Sequence, residues 1–419
     1  MPVIVLLAAL ASISIHAQDW RQFRGPTGQG LADGDGFPIE WSETKNVAWK
    51  TPVPGRGWSS PVIAHGRVWM TTALMDRRDA SLRLLAFDIA SGQPALDVEL
   101  FRVRNAELLN AKNSFASPTP IVDDDRVYVH FGTEGTAGVA LDGQVLWKAT
   151  HRCQTQHGSG GSPVLSNGLV ILTCDGIDAA YIVARDGATG RERWKTWRRQ
   201  PWSQAYATPL PIRVGEATQL VSPAAFHAAS YDPATGKELW RVGCPDGFSN
   251  VPRPAYAHGL VYITTGFQQP SLLAVRPDGK GDVTRTHIAW RLARGVPHTS
   301  SPIVAGDHLF MVSDGGIATC VDARTGAVMW QQRIGGGYSA SPVLAGGLIY
   351  FSSEDGATTV IRPGAVYDPV AVNRLDAPIL ASIAVSARSL FVRTATHLYR
   401  VAVTSPVCPD DATAEEVPR

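Results

Sequence analysis

"VDARTGAVMW", Val321 to Trp330, is spelled nearly the same way twice more, as "YDPATGKELW" (Tyr231 to Trp240) and "ARDGATGRERW" (Ala184 to Trp194). Each copy sets an Asp three residues before Thr and follows the Thr with Gly. Such a carboxylate can accept the backbone N–H groups of a tight turn, and the glycine can take the positive φ at which a hairpin bends. Asp88, Asp186, Asp232 and Asp322 are therefore assigned to turns and not to chemistry. Four residues beyond Gly143, Gly190, Gly236 and Gly326 stand Trp147, Trp194, Trp240 and Trp330. A large aromatic at one fixed place per repeat is suited to filling the wedge between neighbouring units. Trp290 takes this part after a longer hairpin, "RPDGKGDVTRTH", and Trp49 takes it in "NVAWKTPVPG", ahead of the first repeat.

A second phrase alternates with the first: a small residue, a proline, then two short apolar runs around a Gly-containing turn, as in "SSPVIAHGRVWMTT", "GSPVLSNGLVILTC" and "ASPVLAGGLIYFSS". The anchoring positions are Pro61, Pro120, Pro163, Pro211, Pro254, Pro302 and Pro342, with Ile383 in an eighth copy. Their spacing, about 40 to 60 residues, is that of four-stranded propeller blades. The fold expected is all-β, an eight-bladed β-propeller of four-stranded antiparallel blades. The eighth unit ends near Val403 without a fourth strand, so the Trp49 strand is expected to complete it and close the ring, removing an open sheet edge. The first and seventh units lack the tryptophan, having Leu96 and "YDPVAVNRL". Residues 99–112 are expected as an insertion with helical character. The resulting division is a signal peptide over 1–17, an extended strap over 18–43, the propeller over 44–403 and a disordered tail over 404–419.

Composition narrows the function. Lys+Arg 38 against Asp+Glu 37 gives a net charge of +1, which argues against a nucleic-acid partner held by phosphate neutralisation. The apolar segment Val3–Ile15, followed by Ala17, reads as a signal peptide. No cysteine lies near its end, so the expectation is an exported periplasmic or extracellular protein, not a lipoprotein, without a transmembrane span after cleavage. The five cysteines, Cys153, Cys174, Cys244, Cys320 and Cys408, contain no C-x-x-C pair, and export would permit a disulfide. Cys174 and Cys320 are read as small buried hydrophobes in strands.

The phrase "A-x-D-x-x-T-G-x-x-x-W", carried by "VDARTGAVMW" and "SYDPATGKELW", resembles the tryptophan-docking repeat of the PQQ-like β-propellers. That family includes the quinoprotein alcohol dehydrogenases and the lipoprotein subunit of the bacterial outer-membrane barrel-assembly machine. The resemblance runs from about Asp19 to Val403, and its start, "DWRQFRGPTGQG", looks most like exported PQQ-repeat proteins. One fold thus hosts both enzyme and scaffold. A quinoprotein would imply a disulfide between adjacent cysteines under the quinone, a Trp above it, and Glu, Asn and Asp around Ca²⁺. No two cysteines here are adjacent, so no catalytic residue is carried over and no cofactor is expected, with PQQ and Ca²⁺ left to an alternative oxidoreductase reading.

No H-E-x-x-H or G-x-S-x-G occurs, and "HGSGGSP" falls at a blade turn that explains its glycines. Asp175, Asp314, Glu354 and Asp355 recur at one hairpin and read as turn formers, with no metal site among them. What differs from blade to blade is the segment before each inner strand, which a propeller sets around its axial channel. These candidates are Arg56 and Trp58, Lys112 and Asn113, His157, Gln204 and Tyr206, Asn250, His298 and Tyr338. Their mix of aromatic and polar groups suits recognition. The expectation is a non-catalytic binding or scaffold module in the cell envelope, taking a protein or peptide segment, or a small ligand, in one funnel.

Overall fold

The computed structural model describes residues 19–404, apart from 107–108, 199–203, 245–246 and 268. The signal-peptide segment, Cys408 and the tail from Ser405 lie outside the described residues. Eight antiparallel sheets follow one another around a ring, spanning residues 62–103, 121–149, 164–197, 210–243, 255–292, 303–333, 343–374 and 384–402, here blades 1 to 8. Val47–Pro52 supplies the fourth strand of blade 8 by pairing antiparallel with His397–Ala402, as expected. Burial runs radially. Middle strands such as Leu260–Thr265 are buried along their whole length, because neighbouring blades cover both faces, whereas outer strands such as Val47–Pro52 alternate partly buried with exposed.

The tryptophans bridge blades. Trp147 Nε1 donates to the Gly187 carbonyl of blade 3 at 2.9 Å, Trp194 to Pro233 of blade 4 at 3.1 Å, Trp290 to Ala323 of blade 6 at 3.1 Å, and Trp330 to Gly364 of blade 7 at 3.0 Å. Trp49 closes the ring by donating to Ile89 of blade 1 at 3.1 Å. Each accepting carbonyl lies in the next blade's third turn. In the D-x-x-T-G copies the carboxylate holds that turn: Asp322 Oδ1 accepts the backbone N–H of Arg324 and Thr325 and the Thr325 hydroxyl. Gly326 follows at φ +74°, where a Cβ would stand 2.6 Å from the Trp290 ring. Glycine is required there twice over, by conformation and by close approach.

The blades that lack the tryptophan follow the same logic. Blade 2 has a shorter third turn, whose Gly143 faces Leu96 while Arg67 donates to Leu141 O at 2.6 Å. Blade 8 has no third turn, since its last two strands come from distant parts of the chain, so blade 7 has nothing to dock on. Trp41 fills that wedge instead, stacked on Tyr350 and clustered with Leu398 and Tyr399. Trp240 docks through a relay: its Nε1 donates to Gln219 Oε1 at 2.8 Å, and Gln219 Nε2 donates to Pro277 O, the equivalent turn carbonyl of blade 5, at 3.2 Å.

Three expectations are corrected. The blade 4 anchor is Pro209, not Pro211, because the inner strand begins at Leu210 as others begin directly after their prolines; "TPLP" offered two candidates, and Pro211 lies within the strand. Residues 99–112 contain no described helix: Pro94–Val103 is a ten-residue strand, paired along its length in the tall hairpin of blade 1. Cys174 is not a free buried thiol but is bonded to Cys153, with 5.7 Å between Cα atoms, whereas Cys244 and Cys320 are free and buried.

Candidate functional site

Around the axis the residue before each anchoring position does specific work. The backbone N–H of Ser60 donates to Thr119 Oγ1, Thr119 to Ser162 Oγ, and Ser162 to Thr208 Oγ1; Arg253 donates to Ser301 Oγ, Ser301 to Ser341, Ser341 to Ser382, and Ser382 back to Ser60, all at 2.9–3.1 Å. One bond therefore crosses each of seven blade interfaces. At the eighth, where Arg253 offers no hydroxyl, its Nε donates to Pro209 O at 3.1 Å instead.

Beneath this ring the segment from Trp20 to Ala32 crosses the axis. Trp20 bridges to Ile63 of blade 1, Arg24 donates to Pro302 O and Pro342 O of blades 6 and 7, and Leu31–Ala32 adds a parallel strand to the inner edge of blade 7. Phe23 O accepts Arg253 Nη1 at 2.6 Å. Burial pushes Arg24 down to about 9, helped by the nearby Arg253 charge, and burial alone does the same to Arg253. The channel thereby ends on Phe23.

Above the ring opens a cavity of about 670 Å³. Seven of the ten sequence candidates line it: Trp58, Lys112, Asn113, His157, Gln204, Tyr206 and His298. The other three do not. Arg56 lies over the Trp58 ring at 5.3 Å and donates to Ala111 O. Asn250 is spent on blade packing, donating to Ala224 O at 2.6 Å and accepting Gly266 N–H. Tyr338 is buried between blades 6 and 7 with Ile303 and Phe351. Sequence reasoning missed Phe23, Phe248, Phe267, Asp314 and the whole hydroxyl ring. Aromatic residues in polar loops were the available signal for the phenylalanines.

The amine and the carboxyl side chain on the described lining, Lys112 and Asp314, are already engaged. Lys112 Nζ pairs with Glu354 at 2.9 Å, joining the loop ahead of blade 2 to blade 7. Asp314 accepts His298 N–H, Thr299 N–H and the Thr299 hydroxyl. Glu354 also accepts Ser339 Oγ at 2.6 Å. Asp314 and Glu354 thus serve neighbouring segments, beyond the turn-forming role expected of them. Asp175 departs further: it ends a strand, is buried, and pairs with buried Arg198.

A second pocket of about 20 Å³ lies in the wall between blades 2 and 3, lined by the Cys153–Cys174 bridge, His130, His151 and Tyr206. Thr136 Oγ1 sits between His130 Nδ1 at 2.8 Å and His151 Nε2 at 2.6 Å. Burial pushes both imidazoles down, His130 to about 4, so both are neutral near pH 7.

The residues do not fit a quinone with its calcium. The disulfide joins cysteines 21 apart and borders the wall pocket, not the axial cavity. Calcium takes six to eight oxygen ligands. Asp314 is the one carboxylate on the described axial lining, and its oxygens are held by three donors. No group of three or more His, Cys, Asp or Glu side chains able to hold a metal occurs among the described residues.

Among the described residues no helix is long and apolar enough to cross a membrane. A curated relative, the outer membrane protein assembly factor BamB of Burkholderia pseudomallei, is 26% identical over 204 residues, 45% of this chain and 48% of its own. The chain thus spans about half the length of that relative. Among solved structures, BamB from Moraxella catarrhalis superposes with a TM-score of 0.58 at 12% identity, over 84% of this chain and 99% of that one. A europium-containing methanol dehydrogenase superposes with a TM-score of 0.51 at 11% identity, over 91% and 90%. At such identities these likenesses bear on fold alone. The family model described as outer membrane protein assembly factor BamB matches residues 31–194, 179–280 and 224–365, and with more than half the sequence so matched the chain belongs to this family of PQQ-repeat propellers.

Proposed function

We propose that this propeller is an exported, non-catalytic binding module of the cell envelope, working in the periplasm or outside the cell without a lipid anchor, and that it engages its partner or ligand through the axial funnel. The observation that carries this reading is convergence. Loops that differ from blade to blade meet at one blind cavity of about 670 Å³, while the segments that repeat go to the opposite face and dock blade on blade. A cavity of this size lies within the range that takes organic ligands or a short protein segment. The family supports an envelope role, since the curated relative is an outer membrane assembly factor by name.

The test is photo-crosslinking in intact cells from a reactive residue placed at His157 or His298, with Lys237 on the docking face as control. Adducts from the funnel positions and none from Lys237 are expected. Equal labelling of both faces, or of neither, overturns the reading. Recovery of a mature chain beginning near Gln18 from the envelope fraction would support export.

A further inference from the structure

We propose that the axial cavity binds a neutral, oxygen-rich ligand of the carbohydrate class, a proposal that rests on the funnel being the binding site. The argument begins with hydrogen-bonding capacity that the protein leaves unspent. The hydroxyls of Ser60, Thr119, Ser162, Thr208, Ser301 and Ser382 each accept a backbone N–H from the adjacent blade. None of the six donates to another described protein atom, and all six residues line the cavity. Each hydroxyl has an O–H left to give, and all but Ser301, which also accepts Ser341 Oγ, keep one lone pair as well. The cavity floor is therefore a ring of hydroxyls, each with a proton to donate and most with a lone pair to accept.

That polarity discriminates between ligands. A peptide N–H only donates and its carbonyl only accepts, each in a direction fixed by the peptide plane. A sugar hydroxyl can turn to accept, and ether and ring oxygens only accept. Charge points the same way. Lys112 is held by Glu354 and Asp314 by three donors, so an anionic ligand has to break an ion pair to find a counter-charge.

The walls supply the apolar half. Phe248 and Phe267 lie 5.8 Å apart, and Phe267 meets His298 at 6.2 Å; elsewhere on the lining stand Trp58 and the pair His157 and Tyr206, 6.1 Å apart. Phe267 is 51% exposed, an apolar face open to the mouth. Aromatic planes suit the C–H faces of pyranose rings, and Phe23 stops the far end, so the terminal sugar of a chain is the unit that enters.

The experiment is calorimetric titration of the mature full-length chain with three neutral disaccharides, cellobiose, maltose and chitobiose, and their tetrasaccharides. A uronic-acid disaccharide and an end-blocked neutral tetrapeptide are titrated in parallel. At least one neutral sugar should saturate a single site. It should bind roughly tenfold tighter than the uronate and lose roughly tenfold on Phe267→Ala, an exposed position whose truncation leaves the melting temperature unchanged. Absence of saturation by every neutral sugar at about 10 mM overturns the proposal, as does binding that Phe267→Ala and His298→Ala both leave intact. If the tetrapeptide binds and those variants weaken it while no sugar binds, the ligand class is wrong and the funnel reading survives. If funnel crosslinking fails as well, both fall.

Discussion

The docking face and the funnel face are built by the same eight blades, yet they distribute side chains in opposite ways. On the docking face one solution is repeated: an Asp-held turn, a glycine at positive φ, and an indole from the preceding blade donating to a turn carbonyl. On the funnel face almost nothing repeats above the hydroxyl ring, and each blade contributes a different group, Trp58 from one, Asp314 from another, Phe267 from a third. The difference separates residues constrained by the neighbouring blade from residues free to answer to something outside the molecule. Substitutions on the two faces should therefore report through different measurements, stability on one and binding on the other.

The largest effect belongs to the docking face. Trp240 is fully buried, and Trp240→Ala should cost about 3–5 kcal/mol in urea unfolding, the range for emptying an aromatic site. Gln219→Leu should cost less, about 1–3 kcal/mol, because it leaves the indole N–H unpaired in place. A Gln219→Leu variant as stable as the parent would break the relay account.

Next comes the funnel wall. Replacing Cys153 and Cys174 by alanine should lower stability by about 3 kcal/mol, the loop-closure value for a bridge of this span. Because Cys153 leads directly into the segment with Gln156 and His157, it should also weaken any funnel ligand, an effect the Trp240 variant should not share at temperatures where it stays folded.

Acid sharpens the comparison further. His130 and His151 are held neutral in the folded chain, with His130 lowered from 6.5 to about 4. An unfolded chain binds protons first, so the stabilisation present above about pH 6.5 is lost as pH falls toward 4. The urea midpoint should drop across that window, and His130→Phe should flatten the drop. The smallest effect is expected at the mouth. Lys112 is 59% exposed, and Lys112→Ala should change stability by no more than about 1 kcal/mol.

The docking face was legible in sequence because a repeated constraint leaves repeated letters, and the ring closure followed from one surplus strand and one missing strand. Leu96 and the bare seventh unit became intelligible only with the turns they face. The disulfide was illegible: its cysteines are 21 residues apart in two different blade segments, with no spacing rule to pair them. The hydroxyl ring was visible as letters but not as chemistry, since a Ser or Thr at the head of an inner strand reads as a small residue until the seven copies are seen head to tail. Arg56, Asn250 and Tyr338 shared the register of true lining residues. One is drawn onto Trp58, one is spent on backbone groups, and one is turned into the core, distinctions that sequence position alone does not encode.

Among the described residues the strand Val47–Pro52 finds its only sheet partner in His397–Ala402. On a ribosome adding roughly 5–20 residues per second, the first of these waits some tens of seconds for the second. During that interval the chain holds an apolar, unpaired strand at one end and a growing row of blades with nothing to seal them. Local hairpins can form early, but the final step joins segments far apart in sequence and is the slow one. A helper that shields residues 47–52 until synthesis is complete should therefore raise the yield of closed rings more than one acting at any other strand.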